Sequence, residues 1–196
     1  MPPQALAAVA TLLSFAVHGN RIEFTLDHGA AELTWVSDST FRFRRSLDGP
    51  LPAVAPLEKG SIRVQADDLP GAVRLRSKRI EASILKRGLL VSVRGPDGEL
   101  VMSDLSEPRA IQGGVEWDRA MPPGVRYYGL GVPDEIPDLD LDWRGKTTTT
   151  GEPLLISTAG HGEYHVRGSE GGGLRAGLRF DFTAADRYRI QAPSVD

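Results

Sequence analysis

Hydrophobic residues recur at every second position over most of this chain. Ile22, Phe24 and Leu26 alternate with Glu23 and Thr25, and Leu33 and Trp35 alternate with Glu32 and Thr34. Phe41 and Phe43 against Arg42 and Arg44 repeat the pattern, as do Ile62 and Val64, Val73 and Leu75, and Ile80, Ala82 and Ile84. A period of two is that of a β-strand, whose successive side chains point to opposite faces. Turn chemistry separates these runs. His28-Gly29, Asp48-Gly49-Pro50, Leu69-Pro70-Gly71 and Gly95-Pro96-Asp97-Gly98 supply the positive φ angles and preset bends that hairpins need. The longest run, Leu174, Ala176, Leu178, Phe180 and Phe182, sets Arg175, Arg179, Asp181 and Thr183 on its other face. One buried and one wet face belongs to antiparallel sheets. No helical period is convincing beyond residue 20, and 22 Gly with 14 Pro would interrupt helices repeatedly. The pattern predicts an all-β fold, a large antiparallel β-sandwich forming one domain over residues 1–196, with residues 1–17 at its periphery. The Pro-rich stretch from Pro50 to Pro56 reads as a surface loop.

Composition narrows the functional classes. At 196 residues and 40% hydrophobic content the chain can bury a core without staples, and it has no cysteine for disulfides or thiolate metal sites. Its 26 acidic residues against 23 Lys and Arg give a net charge of −3, which offers no basic field for a phosphate backbone. Nucleic acid is therefore excluded as a partner. The apolar stretch Ala5–Val17 has no Lys or Arg before it, unlike an export signal, and falls short of the roughly 20 residues that cross a bilayer. It reads as a strand or short helix of the domain rather than a membrane segment. The compartment, cytoplasmic or exported, stays open.

Few residues invite chemistry. His161, Glu163 and His165 share one strand face, with roots about 7 Å apart from one to the next, so they could close on a metal only with help from another element. The favoured reading is a polar strand face. Asp138, Asp140 and Asp142 alternate with Leu139, Leu141 and Trp143. A calcium loop would need Gly at Trp143 and Glu at Thr149, and an acid/base pair would need one carboxyl held apart from water. They read as a solvated acidic face. No G-x-S-x-G elbow is present. Gly129-Leu130-Gly131 has Asp134 where a dinucleotide site needs its third glycine, and Gly171 to Gly173 lack the Lys-Ser or Lys-Thr of a P-loop. The residues themselves point to no catalytic set, no metal and no cofactor.

Tyr128-Gly129-Leu130-Gly131, then Leu139-Asp140-Leu141 and Arg144-Gly145-Lys146, follow one another in an order that resembles the N-terminal domain of family 31 glycoside hydrolases, the α-glucosidase and α-xylosidase family. Glu152-Pro153-Leu154-Leu155-Ile156-Ser157-Thr158 and Gly160-His161-Gly162 resemble the strand and turn that come next there. Phe41-Arg42-Phe43-Arg44 and Leu89 to Gly98 resemble earlier strands. The resemblance implies a galactose-mutarotase-like sandwich that packs on a catalytic (β/α)8 barrel, which would lie downstream of residue 196 in the same parent protein. It also implies a substrate-cleft loop at Arg144, Lys146, Thr147, Thr148, Thr149 and Thr150. Val132 replaces the family's Glu after Gly-Leu-Gly, and the stretch Lys146 to Gly151 lacks its aromatic and aspartate. Those departures narrow the implied role from sugar contact towards support.

Three functions follow. The first is an accessory domain that supports the barrel of an α-glucosidase-like hydrolase and lends a loop to its cleft, with the barrel and an oligosaccharide as partners. The second is a free-standing carbohydrate-binding module using Trp117, Tyr127, Tyr128, Trp143 or Tyr164. The third, a mutarotase-like enzyme, would need a His and a carboxylate converging as acid and base, for which His161 or His165 with Glu163 is the local candidate.

Overall fold

Most of the alternating runs become paired strands in the computed structural model, which describes residues 9–54, 62–112, 114–131, 142–150, 154–165 and 178–193. Among these residues there is no helix, and the strand pairs whose register is defined are antiparallel. The chain divides into two compact units, Met1–Leu100 and Val101–Asp196.

In the first unit, β1 (Leu12–His18), β2 (Arg21–Leu26), β3 (Ala30–Ser37) and β4 (Thr40–Ser46) form a meander in sequence order. A second sheet follows, again in sequence order: β5 (Gln65–Asp68), β6 (Ala72–Arg76), β7 (Glu81–Leu85), β8 (Val91–Arg94) and β9 (Leu100–Ser103), the last carrying the unit boundary. Ile22, Leu33 and Trp35 from the first sheet and Val73, Leu75, Ala82 and Ile84 from the second are fully buried. Of these, each side chain of valine size or larger contributes about 1.5–3 kcal/mol of apolar transfer. Main-chain bonds join the sheets where Leu12 N–H donates to Lys86 C=O at 2.7 Å and Gly88 N–H to Ala10 C=O at 2.8 Å.

The stretch Ala5–Val17, expected as a strand or short helix, is strand from Leu12, with residues 5–8 lying outside the described ones. Two readings change. Ile62 and Val64 precede β5 and are not in a strand. Glu32 and Thr34, assigned to a wet face by alternation, are buried. Arg21, Arg42 and Arg44 from the neighbouring strands cover Glu32, with Arg21 Nε 2.7 Å from its carboxylate. Long arginine stems shield this face while their guanidinium groups pair the acid.

In the second unit, β10 (Arg109–Ile111), β11 (Gly114–Ala120), β17 (Arg187–Pro193), β16 (Leu178–Asp181) and β13 (Thr147–Thr150) make one sheet in that spatial order. A smaller sheet runs β12 (Tyr127–Gly129), β14 (Leu154–Ser157), β15 (His161–Tyr164). Phe180, Tyr188 and Ile190 of the larger sheet, Tyr127 and Leu155 of the smaller, and Phe182, Met121, Leu130, Trp143 and Leu178 share one core. Two sheets with a common apolar filling make a sandwich. Phe182 and Tyr188 stack with centroids 5.1 Å apart, and Tyr127 is tilted against both at 5.4 and 5.2 Å. Leu174 and Ala176 of the longest alternating run lie outside the described residues; its remainder is β16 and Phe182.

Candidate functional site

The Tyr-Gly-Leu-Gly segment ends β12 in left-handed backbone: φ is +91° at Gly129, +60° at Leu130 and +78° at Gly131. Gly129 lies against β14 so closely that a Cβ there would stand 2.3 Å from the Leu154 carbonyl oxygen. Only glycine fits such a position. The bend lets Leu130 N–H donate to Leu154 C=O at 2.8 Å and leaves the Gly129 carbonyl for the Trp143 indole N–H, 2.9 Å away. Asp142 Oδ1 accepts from Tyr127 N–H at 3.0 Å and from Arg144 N–H at 3.2 Å. The Arg144 guanidinium donates through Nε to Val125 C=O and through Nη2 to Pro122 C=O. Gly145, at φ +75°, then turns the chain into β13. Side chains of Asp142, Trp143 and Arg144 thus clasp the main chain around β12, which fixes where Lys146–Thr150 begins.

Thr147–Thr150 form strand β13 rather than a loop, paired with Leu178–Asp181. Thr148 faces the same side as buried Phe180, while Thr147 and Thr149 stand on the exposed face opposite Asp181 and Arg179. Thr147 Oγ1 is 3.5 Å from Asp181 Oδ1. Of the three alternating aspartates, Asp142 is the described one. Asp138, Asp140, Val132 and Gly151 lie outside the described residues.

The residues the sequence left as a polar strand face meet in the interior of the second unit. Ser157 and Leu155, the cross-strand partners of His161 and Glu163, are buried, so His161, Glu163 and His165 point inward. Glu163 Oε1 receives His161 Nε2 at 3.0 Å and the Tyr188 hydroxyl at 2.9 Å. Oε2 receives His165 Nε2 at 3.0 Å and the Arg119 guanidinium. Arg119 Nε also donates to Asp104 Oδ1 at 2.9 Å. His165 lies between Trp117 and Phe180, at 5.9 and 5.6 Å. Burial opposes the Glu163 charge, but Arg119 and the two imidazoles outweigh it and hold the carboxyl well below its ordinary 4.5. Burial likewise opposes the Arg119 charge, and Glu163 with Asp104 overcomes it, keeping the guanidinium protonated. The Tyr188 hydroxyl is pushed well up by burial and then by Glu163.

With both oxygens doubly engaged and its proton affinity lowered, Glu163 is a poor general base and serves as an electrostatic hub. Among the described residues no group of three or more His, Asp or Glu is arranged to hold a metal ion. The sequence did carry one signal for the hub. Arg119 lies in phase with Trp117 and Met121 on an apolar face, and an arginine there requires acidic partners.

The hub has a pH consequence. Because the folded-state value of Glu163 is depressed, its contribution is present above pH 4.5 and is lost as pH falls through the folded value. The thermal midpoint should drop on acidification below pH 4.5, and the drop should shrink in Glu163→Gln. Equal drops in the two proteins would remove Glu163 from the account.

Of the five aromatic candidates for sugar stacking, Tyr127 and Trp143 belong to the core and Trp117 packs partly buried against it. Tyr164 is 67% exposed. It pairs across the strands with exposed Leu154 on the outer face of β14 and β15, beside exposed Ile156, whose partners are Tyr128 and Gly162.

No protein-family model matches the chain, and no curated protein matches it. Solved structures do. A Flavobacterium johnsoniae family 31 dextranase complexed with isomaltotriose superposes with a TM-score of 0.78 at 16% identity, over 95% of this chain and 25% of the enzyme. A family 31 α-xylosidase from a soil metagenome, complexed with xylose, gives 0.64 at 17% identity, over 92% of this chain and 30% of that one. The cycloalternan-forming enzyme of Listeria monocytogenes, in complex with a pentasaccharide substrate, gives 0.71 at 16% identity, over 95% and 20%. The chain therefore spans a third or less of each enzyme and has the all-β fold of a domain-sized portion of family 31 glycoside hydrolases.

Proposed function

We propose that this chain is an accessory β-sandwich domain of a family 31 glycoside hydrolase, of α-glucosidase or α-xylosidase type, that supports a catalytic (β/α)8 barrel of the same parent protein. The observation that carries the reading is the match of nearly the whole chain to a minor part of larger carbohydrate-active enzymes. The candidate site agrees with it. The Gly129–Gly145 clasp is built from side chains bonded to main-chain carbonyls, and the buried carboxylate–imidazole group at Glu163 is closed upon itself. In this reading Thr147 and Thr149 on β13 face the substrate cleft and offer hydroxyls, while Arg144 positions the strand. Exposed Leu154, Ile156 and Tyr164 form an apolar face suited to a neighbouring domain.

The test is to sequence downstream of residue 196 and to assay both forms. The chain by itself should not hydrolyse p-nitrophenyl α-glucoside or α-xyloside, and the extended protein should. A downstream frame without a barrel, or turnover by the chain itself, would overturn the proposal. Exposed Tyr164 favours carbohydrate binding as a second reading. Calorimetric titration with isomaltotriose would support it if the heat vanished in Tyr164→Ala.

A further inference from the structure

The face of the second sheet opposite its core carries a row of charged and polar side chains. Gln65, Arg76, Glu81 and Arg94 stand in register across β5 to β8, because Val73, Leu75, Ala82 and Val93 take the buried phase. At the end of this row the turn Ser77-Lys78-Arg79-Ile80 separates two cavities, of about 610 and 260 Å³, that share Arg76, Ser77 and Lys78. Arg63, Arg76, Lys78, Arg79 and Arg94 line them, against two carboxylates, Asp38 and Glu81. A local excess of cations stands out in a chain whose net charge is −3.

The turn is held in shape. Ser77 Oγ donates to Asp38 C=O at 2.5 Å and accepts from the N–H groups of Arg79 and Ile80, each at 3.2 Å. Across from it, Gly95 N–H donates to Glu99 C=O and Gly98 N–H to Gly95 C=O, closing a tight bend whose carbonyl at Gly98 receives Arg94 Nη1 at 2.7 Å. Arg76 gives Nη2 to Asp67 at 2.7 Å and lines both cavities. A guanidinium carries five N–H donors in a planar fork, so one bond to Asp67 leaves others to offer an oxyanion. Cations crowded on low-dielectric walls also raise the local concentration of anions.

We propose that these two cavities form a two-part site for a ligand bearing at least two oxyanion groups, carboxylate or sulfate, with Arg76 and Lys78 shared between the parts. Arg63 serves the larger cavity, and Arg79 with Arg94 the smaller. This goes beyond the accessory role and does not depend on it. Calorimetry on the whole chain tests it with inorganic sulfate, citrate, a disulfated disaccharide and a hexaglutamate peptide. Citrate or the disaccharide should bind saturably and about tenfold or more tighter than sulfate, since the second group binds intramolecularly. The tighter of the two tells a free polycarboxylate from an anionic glycan.

Lys78 and Arg79 are exposed, so Lys78→Glu/Arg79→Glu should keep the wild-type melting midpoint while weakening binding by about tenfold or more. Arg187→Glu, an exposed arginine of the second unit, should leave binding unchanged. Absence of saturable binding, an equal loss in Arg187→Glu, or tighter binding of the peptide than of either small ligand would overturn the proposal.

Discussion

Replacing Arg119 by alanine is expected to destabilise the second unit by about 3–5 kcal/mol, the cost of leaving buried carboxylates without their cation. Two acids depend on that side chain, Glu163 and Asp104, and both are largely buried. Domain stabilities of about 5–15 kcal/mol leave little margin for such a loss. Urea denaturation followed by tryptophan fluorescence reports it directly, since Trp117 and Trp143 both lie in this unit. Asp104→Asn should cost far less, because Arg119 would keep Glu163 and Glu163 would keep its imidazole and phenol donors. Equal midpoints for the two variants would mean that the hub contributes packing alone.

Gly129→Ala is expected to cost about 3 kcal/mol or more, joining a left-handed φ to a backbone collision. The added methyl would sit 2.3 Å from the Leu154 oxygen, and relieving it would open the β12–β14 ladder and withdraw the Gly129 carbonyl from Trp143. Gly145 is the matched control. Its φ is +75°, yet a Cβ there meets nothing within 4 Å, so Gly145→Ala should cost about 1–2 kcal/mol from φ alone. The difference between the two variants, measured by denaturation, isolates the close approach. If they fall together, the approach of the two strands is looser than described.

Period-two alternation was legible wherever one face is apolar and the other wet, as at Ile22 and Phe24, Val73 and Leu75, or Phe180 and Phe182. The turn residues were legible too, with Gly29, Gly49 and Gly98 all at positive φ. Alternation failed where both faces are covered. Glu32 and Thr34 read as solvated, because nothing in one strand announces that arginines from two others will fold over them. The hub was hidden for a related reason. Leu154, Leu155 and Ile156 are all apolar, so the inward phase of the smaller sheet could not be set, and His161, Glu163 and His165 were assigned to the wet side. The candidate cleft segment was legible as a resemblance only. Four threonines of high strand propensity were assigned to a loop, and their pairing with Leu178–Asp181 makes them an edge.

That edge bears on how the chain keeps company. Among the described residues β13 is hydrogen-bonded on one side, by β16, and its sequence Thr-Thr-Thr-Thr has neither charge nor proline to discourage another strand from adding to it. Lys146 immediately before it is the nearest gatekeeper. A domain that is normally sheltered by a larger neighbour can carry an uncapped ladder of this kind without harm. On the proposed reading, the chain taken without its barrel is expected to offer these four residues as a template for self-association, which makes its solubility depend on its surroundings as well as on its own core.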